Sequence, residues 1–239
     1  MMKLFSKSTL RLFDWFLIIG IIILNILYSV VENNFDTLGS IASITGVVCV
    51  VLVAKRSMSN YLFGIINVSL YAYISYESSL YGDFLLNALY YLPMQFIGWF
   101  MWFKDKGDLN EKGEMDMSIV KCSILKWKER YYLILGSISI IVLVGYILEK
   151  YTIDPQPYKD ASTTILSVIA MFLMVKKFME QWILWAVINI ISVVMWLFVW
   201  ISGGEHAGLM VAMYMFYLAN SINGIIVWNN AANRDKSMK

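Results

Sequence analysis

The chain has 239 residues, 59% of them hydrophobic, with a mean hydropathy of +0.65 and a net charge of +2. An ordinary soluble domain is far less apolar, and outside the apolar runs too little chain is left for a separate soluble domain. Two cysteines, Cys49 and Cys122, and a single histidine, His206, exclude a disulfide framework and the usual histidine-rich metal sites; His206 reads as a structural residue at a span end.

Lys3, Lys7 and Arg11 precede an apolar run over 12–31. The run is too long for the core of a signal peptide and no Ala-x-Ala site follows it, so a retained first helix is expected. Seven more apolar runs follow, at 37–54, 59–76, 83–103, 131–148, 161–175, 182–202 and 207–229. Each is about long enough to cross a hydrocarbon core of roughly 30 Å. Each is expected to be helical, because a span in lipid must satisfy its backbone internally. Tyr81-Gly82-Asp83 reads as a tight turn whose aspartate caps the fourth helix, a structural reading favoured over contact with substrate. Segment 104–130 alternates in charge, ends in a basic stretch, and reads as a solvated loop with at most a surface helix. The expected fold class is therefore an all-α polytopic membrane protein with eight transmembrane helices.

Charge placement sets the expected orientation. With the N-terminus in the cytoplasm, all but two of the 19 lysines and arginines fall in cytoplasmic segments, Lys150 and Lys159 being the exceptions. Glu32, Asp36, Glu77, Asp83, Glu149, Asp154, Asp160 and Glu205 then all lie outside, and no acidic residue is expected deep in a span. Both termini are expected to be cytoplasmic. A coupled pump is disfavoured by the missing midplane carboxylate. An intramembrane enzyme is disfavoured because no His-x-x-x-His, Gly-x-Ser-x-Gly or carboxylate pair lies in any span.

The chain also echoes itself. LVAKRSMSNYLFGIIN, ending at Asn67, resembles FLMVKKFMEQWILWAVIN, ending at Asn189, and FIGWFMW at 96–102 resembles INGIIVW at 222–228. Gly98 then pairs with Gly224 and Trp102 with Trp228. Two three-helix units joined by one helix must be parallel, which is the 3+1+3 arrangement of SWEET-type carriers preceded here by one extra helix. The boundaries are 1–35 for the N-terminus and first helix, 36–103 for the first unit, 104–160 for the loop and linker helix, 161–230 for the second unit, and 231–239 for a cytoplasmic tail.

Counting depth at about 1.5 Å per residue places Asn67, Gln95, Asn189, Asn220 and Asn223 near mid-span. An amide offers donors and acceptors without charge. Such a group either contacts a polar cargo or bonds neighbouring helices together, at about 0.6–2 kcal/mol each. Asn25, outside the repeat, reads as an interhelical bond. Trp182, Trp185, Asn189, Ser192 and Trp196 share one helical stripe. Two indoles followed by an amide suit a flat ring with a polar substituent, and a cationic ring gains about 0.5–2 kcal/mol on an indole face; the other reading of Trp182 is an interfacial belt. Trp99, Trp102, Trp200 and Trp228 sit near span ends and read as belt residues. Pro93 frees the carbonyl of Leu89 and kinks the fourth helix beside Gln95, which suits a gate, although packing also accommodates such kinks. Gly64, Gly98 and Gly224 read as points of close helix approach.

GIIN at 64–67, LYGD at 80–83, GWFMW at 98–102 and QWILWAVIN at 181–189 resemble the bacterial nicotinamide riboside transporters, the PnuC family, over about 40–228. The resemblance implies a SWEET-like fold, residence in the bacterial inner membrane, assembly as a homotrimer and facilitated uptake of nicotinamide riboside. It implies trapping of the cargo by a cytoplasmic riboside kinase, with no cofactor, metal, catalytic residue or nucleic acid involved. The partners are then the riboside, the lipid bilayer, further copies of the chain and, functionally, that kinase. The stripe Trp182, Trp185 and Asn189 would stack the pyridinium, and Asn67, Gln95 and Asn223 would meet the carboxamide or ribose hydroxyls. A facilitator for another flat, cationic vitamin such as thiamine, or a SWEET-type sugar carrier, stays open.

Overall fold

Residues 10–31, 36–78, 80–109, 115–151 and 157–237 are described by the structure, a computed structural model. The helices are α1 (Leu12–Val31), α2 (Thr37–Ala54), α3 (Asn60–Glu77), α4 (Tyr81–Leu85), α5 (Leu92–Lys104), α6 (Trp127–Tyr151), α7 (Pro157–Val175), α8 (Gln181–Ile201) and α9 (Ala207–Ser237). A π-helical stretch, Leu86–Tyr91, joins α4 to α5 without a break, so the fourth apolar run forms one rod. Among the described residues α1, α2, α6, α8 and α9 are long and apolar enough to cross a membrane. The hydropathy of α3 is lowered by four tyrosines and two asparagines, several of which face inward.

α2 is capped by Asp36, whose Oδ1 accepts from Gly39 N–H at 2.7 Å. It ends in a Schellman turn: Ser57 N–H bonds Leu52 C=O and Arg56 N–H bonds Val53 C=O, both at 2.9 Å. α7 ends the same way through Phe178 to Leu173 and Lys177 to Met174. The left-handed residue in such turns is usually glycine, but here it is Arg56 (φ 59°) and Lys177 (φ 65°). The echoed basic pairs thus adopt matching turns at one end of the helices, called the basic end below. The opposite, acidic end carries Asp36, Glu77, Asp83 and His206.

Segment 104–130 departs from the expected solvated loop, and it amends the all-α reading. Strands β1 (Lys106–Leu109) and β2 (Met115–Val120) form an antiparallel hairpin with Asp108 opposite Asp116 and a register shift at Gly107, whose φ of 103° suits glycine. The hairpin docks on the first basic turn, Val120 N–H donating to Arg56 C=O at 3.1 Å. Three residues on, Ser123 N–H donates to Lys177 C=O and Ser123 C=O accepts from Met179 N–H, both at 2.9 Å. Arg56 pairs with Asp108 and Lys177 with Asp105. Two of the alternating charges that suggested a solvated loop, Asp105 and Asp108, are instead partners of the two basic turns.

Two cores form between the helices. One lies at the basic end around Tyr61, Trp102, Trp182 and Trp228; the other gathers Leu17, Ile21, Val47, Tyr71, Trp196 and Met210. Trp102 and Trp228 are fully buried, not interfacial as their span-end positions suggested, whereas Trp99 and Trp200 are exposed. α1 lies against α2 and α9, with Asn25 donating to Ser43 Oγ at 3.1 Å and Asp14 paired with Lys55 at 2.6 Å. α6 packs on α7 and leaves most of its apolar surface outward.

Candidate functional site

Tyr61 of α3 lies against Gly98 of α5, and Trp182 of α8 lies against Gly224 of α9; a β-carbon at either glycine would overlap the ring. Each ring meets a second edge-on: Tyr61 meets Trp102 at 5.2 Å and Trp182 meets Trp228 at 6.1 Å between centroids. The echoed residues therefore make equivalent contacts in the two halves. Together the four rings fill the basic end beneath a cavity of about 170 Å³. One water needs only roughly 10–15 Å³ on this measure, so the space suits a small organic molecule.

The cavity wall combines six helical rods, α2, α3, the fourth rod, α7, α8 and α9. α8 presents Trp182, Trp185, Asn189 and Ser192, the stripe expected from the 3.5-residue spacing. The fourth rod presents Asp83, Asn87, Tyr91 and Gln95. These are spaced by four, and in a regular α-helix each such step turns the side chain by about 40°, or about 120° over three steps. The π-helical stretch inserts an extra residue, Leu92 N–H reaching back to Asn87 C=O, and so removes about 100° of that drift. It ends beside Pro93, which has no N–H with which to continue the ladder. All four side chains thereby face one space.

Five of the six expected binding residues, Asn67, Gln95, Trp182, Trp185 and Asn189, line this cavity; Asn223 does not, and neither does Pro93. The five differ in their engagement. Asn67 donates to Ala42 C=O at 2.9 Å and accepts from Tyr217 Oη at 3.4 Å, so its amide bonds helices together. Asn189 donates to Ser221 Oγ at 3.0 Å. Gln95 Oε1 and Trp182 Nε1 are buried, with no hydrogen-bond partner among the described residues. Trp185 is half-buried beside Tyr91, their centroids 6.1 Å apart. Asn220 is spent on Val50 C=O at 2.7 Å.

Sequence reasoning missed the tyrosines and preferred a capping role for Asp83. Leu80, not Asp83, occupies the N-cap position of α4. Asp83 lies in the first turn and lines the cavity, so the space is not free of carboxylates as expected. Its Oδ2 accepts from Tyr71 Oη at 3.2 Å. Tyr71 Oη in turn lies 2.8 Å from Trp196 Nε1 and 2.8 Å from Tyr214 Oη. The four-residue spacing of Asp83, Asn87, Tyr91 and Gln95 was the available signal, and it is hidden from any search for a 3.6-residue period.

A profile of the family described as "Nicotinamide mononucleotide transporter" matches residues 36–230. The chain belongs to this family. It is similar to the nicotinamide riboside transporter PnuC of Neisseria mucosa, with 39% identity over 205 residues covering 85% of this chain and 76% of that one. It is also similar to the PnuC of Haemophilus influenzae, with 30% identity over 87% of this chain and 86% of that one. A crystal structure of the vitamin B3 transporter PnuC superposes with a TM-score of 0.81, at 34% identity and with 94% of both chains covered. The family is one of transporters, so the chain is a multi-pass membrane transporter and not an enzyme.

Proposed function

We propose that this chain carries nicotinamide riboside across the bacterial cytoplasmic membrane by alternating access, without ion coupling. The observation that carries this reading is the cavity wall: indoles, amides and hydroxyls, with no lysine or arginine among the described lining residues. The family description names the mononucleotide and the relatives are named for the riboside. The two cargoes differ by a phosphate carrying about −1.5 to −2 charge at neutral pH. Burying that charge without a cation is costly, whereas a pyridinium can rest on indole faces. A carboxamide donor would satisfy Gln95 Oε1, and a cargo oxygen would satisfy Trp182 Nε1.

The two units, 36–103 and 161–230, rock against each other about 104–160 in this reading, with 1–35 and the tail 231–239 outside the repeat. Their equivalent ring-on-glycine contacts and basic turns support the parallel 3+1+3 repeat, and the rods described support a reading of eight spans. The basic end faces the cytoplasm. Pro93 and the adjoining π-helical stretch form the hinge of the fourth rod. A cytoplasmic kinase traps the delivered riboside as its phosphate, and the apolar outward faces of α1 and α6 serve lipid and the neighbours of a homotrimer.

Calorimetric titration of the purified protein with nicotinamide riboside, its mononucleotide, thiamine and glucose tests the cargo. Saturable binding of the riboside, at least about tenfold tighter than the mononucleotide, is expected. Preferential binding of thiamine or glucose would replace the cargo. Gln95→Ala and Asn189→Ala should each weaken riboside binding about tenfold with little change in thermal stability; normal binding by both overturns the site. Uptake into liposomes should be indifferent to proton and sodium gradients.

A further inference from the structure

We propose that Asp83 is the charge filter of the cavity, the side chain that makes it favour a cationic ring over a neutral ring of the same shape and disfavour a cargo that carries an added carboxylate. This rests on the nicotinamide riboside reading and assigns the part of the site that reads the ring's charge. Among the described lining residues Asp83 is the one that carries a full charge at neutral pH; the others are apolar, amide, hydroxyl, phenol, thiol or indole. The cavity is walled by protein and, in the proposed setting, by lipid beyond it. A single carboxylate therefore sets the sign of the potential through the whole space.

The surrounding hydrogen bonds hold this group in place. Trp196 Nε1 can only donate, so Tyr71 Oη accepts from it at 2.8 Å. Tyr214 Oη donates to the same oxygen at 2.8 Å, which occupies both acceptor sites of the Tyr71 hydroxyl. The one Tyr71 proton then points to Asp83 Oδ2, 3.2 Å away, which accepts it. Trp196 is fully buried and Tyr71 nearly so, so the network is fixed by the core and not by solvent. The π-helical stretch supplies the phase that turns Asp83 into the cavity together with Gln95. Asp83 enters from the acidic end, and Trp182 and Gln95 lie further along the wall. A cation arriving from the acidic end meets the carboxylate before it reaches the indoles.

The test titrates the wild-type protein and Asp83→Asn with three ribosides. The probes are nicotinamide riboside, its neutral dihydro form, and nicotinic acid riboside, in which a carboxylate replaces the carboxamide. Asparagine keeps the size of the side chain and an acceptor for Tyr71. In Asp83→Asn the affinity for nicotinamide riboside should fall by about tenfold or more, and that for the dihydro form should stay within about threefold. The acid should bind more tightly than it does to wild type. Tyr71→Phe removes the proton that holds the carboxylate, so Tyr71 is a positioning residue. That variant should show a smaller loss of the same cation-to-neutral ratio, a ratio that a general loss of folding would not change. Equal shifts for all three ribosides, or an unchanged preference in Asp83→Asn, overturn the proposal while leaving the cargo reading intact. A wild-type protein that binds none of the three overturns the cargo reading itself, and this one with it.

Discussion

The two ends of the helices are closed by different means. At the basic end Arg56 and Asp108 pair with side chains only 4% and 2% exposed, Lys55 pairs with the buried Asp14, and Arg130 pairs with Glu180 at 2.6 Å. The four rings of Tyr61, Trp102, Trp182 and Trp228 lie just inside these pairs. At the acidic end a single histidine joins Asp36 at 2.7 Å and Glu77 at 3.6 Å, the latter 40% exposed. The ion pairs at one end are thus desolvated and backed by interlocked rings, whereas those at the other centre on one titratable cation near water. For a carrier that must open on both sides, the larger barrier stands at the basic end.

The largest effect that would break this contrast comes from the buried pair. Asp108→Ala leaves the Arg56 guanidinium buried without its carboxylate and should cost about 3–5 kcal/mol. Thermal unfolding in detergent reads this directly, and Arg56→Met with Asp108→Leu should recover most of the loss. A wild-type melting temperature for Asp108→Ala would show the basic end to be no tighter than the acidic end. Next, Gly224→Ala should cost about 1–3 kcal/mol by forcing the Trp182 ring aside, and should weaken cargo binding because that ring lines the cavity.

Smaller effects sharpen the comparison between the two basic turns. Glycine at either turn relieves left-handed strain of about 1–2 kcal/mol. The half-solvated Lys177–Asp105 pair contributes only about 0–1 kcal/mol in return. Lys177→Gly is therefore expected to lie between neutral and about 2 kcal/mol stabilising, whereas Arg56→Gly destabilises, and paired denaturation curves distinguish them. The smallest effect belongs to His206. Its hydrogen bond to Asp36, with the charges of Asp36, Glu77 and Glu205 beside it, raises its pKa above the ordinary histidine value against opposing desolvation. The stabilisation is fully present below the ordinary value of about 6.5 and is lost as pH rises through the raised folded-state value. Solvent screening limits it to about 1 kcal/mol or less. Melting temperature should fall slightly across that window, and His206→Asn, which tolerates the positive φ of 61°, should flatten the profile.

The helical frame was largely legible because lipid leaves the backbone few options: runs 12–31 and 37–54 coincide with α1 and α2. The α8 stripe was legible for the same reason, since a regular helix maps spacing onto a face. What failed were positions where two environments share one local pattern. Trp102 and Trp228 stand at span ends, where an interfacial ring and a plug between helices look alike in sequence; only packing against Tyr61 and Trp182 separates them. The charges of 105–108 suggested water because their partners, Arg56 and Lys177, are 52 and 72 residues away in the chain. Asp83 was taken for a cap because the phase of its helix depends on a π-helical stretch that no periodicity reveals.

That stretch makes the fourth rod behave like two cylinders coupled by a ratchet of one residue. Deleting a single residue within Leu86–Tyr91 would remove the insertion and keep Asp83 and Gln95 on one face, whereas winding the stretch as a regular α-helix at unchanged length would swing the segment bearing Asp83 by about 100° relative to that bearing Gln95. The carboxylate would then face a neighbouring helix while the amide kept its place. The charge preference of the cavity and its hydrogen-bonding floor are thus set by separate halves of one rod. A shift of backbone hydrogen-bond register by one residue, with no change of side chain, is enough to alter the first and spare the second.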